Sequence, residues 1–229
     1  QPLVVKKMNI VSITNIRKGR EKPGLKSQHL HCIKALEKLC NANTIGAELG
    51  SDKIDYSPGK IDGKTISIDI GTAGSISLLL QSILLPSFFA DSKVRLKLKG
   101  GTAGKWAMPY EYFFNVFVPH LHKFVEKVEV KSVKRGYFPA GGGEVDIIIR
   151  PKYKIADFDN FESFLKSIRE KIPKINLTEQ GKLIHIKGIS HASKLLEKAK
   201  VAERQAWAAK HKLSKLNCPI DIREEYSDT

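Results

Sequence analysis

Arg17 and Arg20 stand three apart around Gly19 in the stretch Ile16-Arg17-Lys18-Gly19-Arg20-Glu21-Lys22-Pro23-Gly24-Leu25-Lys26-Ser27-Gln28-His29-Leu30. Each guanidinium offers a planar fork of donors that suits a phosphate better than an ammonium point charge does. Gly19 keeps the backbone between the forks free of side-chain bulk, so an anion can approach closely. Pro23-Gly24 forms a turn, and Gln28 and His29 fall where the spacing predicts the first turn of a helix, a place that favours bound anions. These residues fit a phosphate site built across a strand–turn–helix junction. They also fit a solvated basic loop before a helix, and composition alone does not choose between the two.

The elements that must position this stretch alternate along the chain. Val11–Ile16 is a short apolar strand. Leu30, Ile33, Leu36, Leu39 and Cys40 recur at helical spacing, which predicts an amphipathic helix over 28–41. Ala47–Ser51, Lys53–Tyr56 and Thr65–Ile70 are expected as strands, separated by Ser57-Pro58-Gly59 and Asp62-Gly63 turns. Gly71-Thr72-Ala73-Gly74-Ser75 opens the most apolar helix, which stops near Pro86. In that helix Gln81 is a long polar side chain that needs a partner if it is buried. Val94, Leu96 and Leu98 alternate with Arg95, Lys97 and Lys99, giving a strand with one wet basic face. A helix over 109–126, kinked or broken near Pro119, precedes two strands near 127–135 and 144–150.

Beyond Pro151 the texture changes. Tyr153–Pro173 is charged and is expected as a surface connector helix. Leu183–Ile186 is expected as a strand. Leu195, Ala199, Ala202, Ala206, Ala209 and Leu213 form a small-residue stripe for a helix near 193–214, and a last strand begins at Pro219–Arg223. The order implies an α+β layer arrangement, with a large domain over 1–181 and a partial β-α-β domain over 182–229. Gly-rich turns at comparable points hint at internal duplication.

The 229 residues and their 41% hydrophobic share suffice to bury a real core. A formal charge of +15, from 39 basic and 24 acidic residues, favours a polyanionic partner. No apolar run reaches the length of a membrane span, and Leu3-Val4-Val5 runs directly into Lys6-Lys7 rather than into a signal-peptide core. The three cysteines, Cys32, Cys40 and Cys218, form no CxxC pair, and free thiols suit a reducing, cytoplasmic setting. His29-x-His31-Cys32 and His120-x-His122 place neighbours on different helix faces, which argues against a metal role.

Five motifs occur in one order: Ile16–Leu30; Gly71-Thr72-Ala73-Gly74-Ser75 with Gln81; Lys99-Gly100-Gly101-Thr102; Arg135-Gly136-Tyr137-Phe138-Pro139-Ala140-Gly141-Gly142-Gly143; and Leu177-Thr178-Glu179-Gln180-Gly181. The series resembles the RNA 3'-terminal phosphate cyclases. The resemblance implies a large domain of repeated β-α-β-α-β-β units, with a smaller inserted domain from near Lys182. It implies ATP and a divalent metal (Mg or Mn) as cofactors and RNA 3' ends as partners. The implied reaction converts a 3'-phosphate end to a 2',3'-cyclic phosphate through a histidine adenylate and an RNA–adenylate. A homo-oligomer is left open.

Carried over residue by residue, Arg17, Arg20, Gln28 and His29 match phosphate- and substrate-binding positions. Gln81 matches a nucleotide-binding glutamine, Tyr112 an aromatic against the adenine, and Pro109 stands beside Met108, where the family often has proline. Ala103 follows Gly-Gly-Thr where the family usually has an acidic or amide residue. By the same resemblance, the nucleophilic histidine is expected beyond Thr229 and the metal-binding glutamate before Gln1, so the chain is expected to be an incomplete portion. The alternative is a non-catalytic cyclase-like RNA-binding protein of ribosome biogenesis, a branch that loses much of the Arg-x-Gly-Arg…Gln-His set. Repeated α+β units also resemble enolpyruvyl transferases, against which the basic turn and charge excess speak.

Overall fold

A computed structural model describes residues 10–105 and 107–228. The Leu3–Val5 run and Lys6-Lys7 lie outside the described residues. The chain divides into two compact units, Gln1–Lys174 and Ile175–Thr229.

The first unit begins with β1 (Val11–Ile13), α1 (Ser27–Cys40), β2 (Asn43–Ile45) and β3 (Ile54–Ser57). It continues with β4 (Thr65–Asp69), α2 (Ile76–Ser87), β5 (Val94–Gly100) and a short α3 (Tyr110–Tyr112). It ends with β6 (Val125–Lys134), β7 (Gly143–Pro151) and α4 (Phe161–Lys171). One sheet has the order β1-β3-β2, and the other β4-β5-β7-β6. In the first, β3 pairs antiparallel with both neighbours. In the second, β7 does the same between β5 and β6, while β4 adds a parallel strand outside β5. The run β1-α1-β2-β3 therefore repeats the topology of β5-α3-β6-β7. The hint of duplication holds at the level of topology, and β4-α2-β5-α3-β6-β7 is one full β-α-β-α-β-β unit.

The alternation in β5 does what its sequence dictates. Val94, Leu96 and Leu98 are buried with Ile66 and Ile68 of β4, and with Val145, Ile147 and Ile149 of β7. Leu79, Leu80, Ile83 and Leu84 of α2, with Ala35 and Leu39 of α1, join them in the same core. On the wet face Arg95 grips Asp146 bidentately, at 2.9 and 2.6 Å, diagonally across the strand pair. α4 is not a loose connector: Phe164, Ile168 and Ile172 pack with Phe89 and Phe124 of the same unit.

Several elements differ from the sequence expectation. Ala47–Ser51 is a turn rather than a strand, entered and left by Gly46 and Gly50 at positive φ, and the strand lies upstream at Asn43–Ile45. The helix expected over 109–126 is regular only at Tyr110–Tyr112. It widens to a π turn at Phe113–Phe117 and tightens to 3-10 at Val118–Phe124, where Pro119 removes a donor.

The second unit is a parallel pair, β8 (Ile186–Ser193) and β9 (Ile220–Ser227), joined through α5 (Val201–Leu213). β8 starts where the strand at Leu183–Ile186 was expected to end. Lys200, at φ 49°, interrupts the anticipated helix, so Lys194–Ala199 is a 3-10 segment. Leu195 is 88% exposed and Ala199 is exposed, which takes both off the stripe. Ala202 and Ala206 are buried and Ala209 and Leu213 half-buried, so the inward face begins after the break. Among the described residues no helix is long and apolar enough to cross a membrane.

Candidate nucleotide and phosphate site

The basic turn is preformed by its own arginine. Arg17 adopts φ 58° and donates from one terminal nitrogen to the carbonyls of Lys22 (2.8 Å) and Gly24 (3.0 Å). The Arg20 amide donates to the Arg17 carbonyl at 3.0 Å, so the two arginines form the two ends of one turn with Lys18 and Gly19 at its corners. A left-handed conformation costs a side-chain-bearing residue about 1–2 kcal/mol, and these hydrogen bonds hold it in place. Arg17 is thus a staple of the loop as well as a cation in it, a role that spacing alone could not disclose. Arg20 is exposed.

The β2–β3 loop locks this turn from behind. The Leu25 amide donates to the Ser51 carbonyl and the Gly50 amide to the Leu25 carbonyl, each at 2.8 Å. A β-carbon on Gly24 would overlap the Gly50 carbonyl. In the topological repeat, Thr102 serves the same purpose between the segment after β5 and the β6–β7 loop. Its amide donates to the Gly136 carbonyl at 2.9 Å, and its hydroxyl accepts from the Gly136 amide at 3.1 Å.

At the start of α1, His29 Nδ1 accepts from the Lys26 amide at 3.3 Å, which leaves the ring proton of the neutral form on Nε2, facing away from the cap. Burial and the nearby Arg17 charge hold the His29 pKa below its ordinary value of 6.5. Both effects favour the neutral imidazole beside the guanidinium, and in that form its N–H donor is Nε2. Ser27 and Gln28 carry the same turn onto the β4–α2 loop. Ser27 Oγ donates to the Ile70 carbonyl (3.1 Å), and Gln28 Nε2 donates to the Ser75 carbonyl (3.2 Å).

From Ser75 the hydrogen bonds run on. Ser75 Oγ meets Ser77 Oγ at 2.8 Å, and Ser77 Oγ donates to the Met108 carbonyl at 2.5 Å. The next residue is Pro109, the exposed cap of α3, and Tyr112 lies one turn on, 53% exposed. Tyr112 is surface rather than core. Hydrogen bonds thus link the start of α1, which carries Gln28 and His29, through the N-terminus of α2 to Met108, the residue before Pro109. The junction lies at the C-terminal ends of the parallel strands β4 and β5, where α/β crossovers leave room for ligands. The β6–β7 loop closes on it, with Gly141 at φ 75° packed so tightly on the Thr72 carbonyl that a β-carbon would overlap it.

Gln81 is not part of this chain of contacts. It is exposed on the face of α2 shared with Leu78 and Leu85, and it makes no hydrogen bond among the described residues. The condition under which Gln81 would need a buried partner does not arise, because that face is open to water. The serines at 27, 75 and 77 carried no individual signal in the sequence; only their clustering beside glycines could have marked them. Among the described residues no group of three or more His, Cys, Asp or Glu is placed to hold a metal ion.

Comparison with known proteins matches the model of a family described as RNA 3'-terminal phosphate cyclase over residues 5–218. Relatives named RNA 3'-terminal phosphate cyclase include one from Pyrococcus furiosus, 41% identical over 219 residues, and one from Pyrococcus abyssi, 40% identical over 217 residues. Each alignment covers 95% of this chain and 58% of the relative. A third, from Methanopyrus kandleri, is 38% identical over 199 residues, 87% of this chain and 51% of the relative. The chain therefore spans little more than half the length of the curated relatives it matches. The family match across residues 5–218 and relatives about 40% identical over 95% of its length show that the chain belongs to the RNA 3'-terminal phosphate cyclase family.

Proposed function

We propose that this chain serves ATP-dependent cyclisation of RNA 3'-phosphate ends, supplying the surface that holds ATP and the RNA end phosphate. The observation that carries this reading is the hydrogen-bonded path from Gln28 through Ser75 and Ser77 to Met108, which unites a phosphate-type cluster with an exposed aromatic. Its donor set fits a polyphosphate: an exposed guanidinium at Arg20, a neutral N–H at His29, and a turn already stapled by Arg17. Pro109 and Tyr112 offer an apolar edge and an aromatic face for a base. Gln81 belongs to this reading by family correspondence alone.

When bound, ATP supplies the adenylyl group that turns the RNA 3'-phosphate into a target for its neighbouring 2'-hydroxyl. The protein's contribution to such a transfer is position and charge neutralisation. Arg20 and the donors of Arg17 outside its loop bonds balance phosphate charge. His29 adds a directed donor without a charge of its own. The clasped loops keep these groups in register before the ligand arrives, so little ordering remains to be done on binding. The divalent metal implied by the resemblance is assigned no residue here.

Equilibrium binding of ATP, tripolyphosphate and adenosine tests the assignment. Arg20→Ala weakens ATP and tripolyphosphate, whereas Tyr112→Ala weakens ATP and adenosine and spares tripolyphosphate. A chain that binds RNA but none of the three ligands belongs instead with the non-catalytic branch of the family.

A further inference from the structure

The outer face of α5 carries a feature that the ATP and end-phosphate assignments leave unused. Trp207 is 69% exposed, and its indole stacks on the His211 imidazole with centroids 5.5 Å apart and planes within 5°. At 100° per residue, Arg204, Trp207 and His211 share one face, opposite the inward stripe of Ala202, Ala206, Ala209 and Leu213. Lys200 precedes the first turn of this face and Lys215 follows the last, and both are exposed. The one acid in α5, Glu203, accepts from the Tyr226 hydroxyl at 2.5 Å on the flank of the helix. The result is a flat aromatic pair in water, bracketed by cations along the helix, with its only nearby carboxylate of that helix engaged elsewhere.

We propose that this face is a stacking platform for single-stranded RNA, distinct from the end-reading site in the first unit. An indole left in water contributes little to the fold, but it can accept the π-face of any unpaired base. Arg204, Lys200 and Lys215 supply the phosphate contacts that a strand laid along the helix would need. A duplex would keep its bases stacked out of reach, so the platform selects unpaired RNA. The inference rests on RNA being the substrate, as proposed above, but it adds a second contact with that RNA, carried by the second unit.

The test uses the whole chain carrying Trp106→Phe, which leaves Trp207 as the only tryptophan of the two in the sequence. The probes are single-stranded oligoribonucleotides of about 12 nucleotides, one ending in a 3'-phosphate and one in a 3'-hydroxyl. Both are expected to change Trp207 emission on binding. Trp207→Ala should weaken both about five- to a hundredfold, and Trp207→Phe should restore most of the loss. Arg204→Gln with Lys215→Gln should flatten the slope of log affinity against log salt by about 1.4, two contacts on a single strand. Because Trp207 is exposed, circular dichroism should show the variants folded.

Unchanged affinity of Trp207→Ala for both oligonucleotides overturns the proposal. So does a result in which Trp207→Ala alters sedimentation but not RNA binding, since the face would then join two copies of the chain. Loss of the preference for a 3'-phosphate with Trp207 dependence intact refutes the end-reading function and leaves the platform standing.

Discussion

Gly141→Ala and Gly142→Ala form a matched pair that tests whether the β6–β7 loop really closes on the β4–α2 loop. Both glycines hold positive φ, 75° and 71°, so an alanine at either site carries a conformational cost of about 1–2 kcal/mol. They differ in space. A β-carbon at 142 meets nothing within 4 Å, whereas one at 141 overlaps the Thr72 carbonyl and crowds the Thr72–Ala73 backbone. Backbone crowds backbone there, so no rotamer relieves it, and overpacking adds about 1–3 kcal/mol. The totals are about 2–5 kcal/mol at 141 against about 1–2 at 142. For a chain of this size each kcal/mol lowers Tm by about 2–4 °C, giving losses of about 4–20 °C and about 2–8 °C respectively. Thermal unfolding by circular dichroism measures the difference. The Thr72 segment leads into Ser75 and the relay to Met108, so Gly141→Ala should also weaken ATP binding more than Gly142→Ala does. Equal losses of both Tm and affinity would refute the close approach and the coupling drawn from it.

Other outcomes follow from the same geometry. Arg20→Lys should weaken tripolyphosphate binding about tenfold by exchanging a fork for a point charge, with little change in Tm; an unchanged affinity removes Arg20 from the site. Arg17→Lys should lower Tm as well as affinity, because its guanidinium also holds the Lys22 and Gly24 carbonyls; loss of affinity alone would deny the staple. His29 has a folded pKa below 6.5, so the unfolded chain binds the proton more readily. Its contribution therefore leaves stability unaffected well above pH 6.5 and lowers it as pH falls through that value, a drop that denaturant titration should find reduced in His29→Gln. Incubation of this chain with labelled ATP and magnesium should leave no acid-labile phosphoramidate, since the family resemblance assigns the nucleophilic role to none of its seven histidines. Labelling at His29 or His191 would overturn that correspondence.

The features legible in the sequence were those written in periodicity. α1 followed from Leu30, Ile33, Leu36 and Leu39, and the two faces of β5 from strict alternation, because burial on one side leaves such patterns. Short or irregular elements left none. Asn43–Ile45 is a polar three-residue strand, recognisable only through its pairing with β3. In the 110–124 segment the aromatic run Phe113, Phe114 and Phe117 keeps an apolar pattern while the backbone changes pitch beneath it. Lys200 shows that one left-handed residue reassigns a whole stripe. At the candidate site, residue types singled out Arg17, Gln28 and His29 as a group, and the structure places them around one turn and the start of α1. The orientation of Arg17 and Gln28 depended on carbonyls contributed by Lys22, Gly24 and Ser75, and that of His29 on the Lys26 amide, which no local pattern announces. The exposure of Gln81 was not legible for a different reason: mean apolarity of a helix says nothing about which of its faces stays wet.

The recurrence of one frame in β1-α1-β2-β3 and β5-α3-β6-β7 separates inheritance from invention. The strands and clasps are common property, while the slot between the first and second strand behaves as a socket. One copy fills it with a regular helix of 14 residues that presents an amide and an imidazole. The other fills it with 3 helical residues, a 5-residue π turn and a 7-residue 3-10 stretch, and presents a phenol. The sheet order around the socket is the same in both. A fold built this way can change the opening turn of one socket, and with it the groups that socket presents, without altering a single strand pairing.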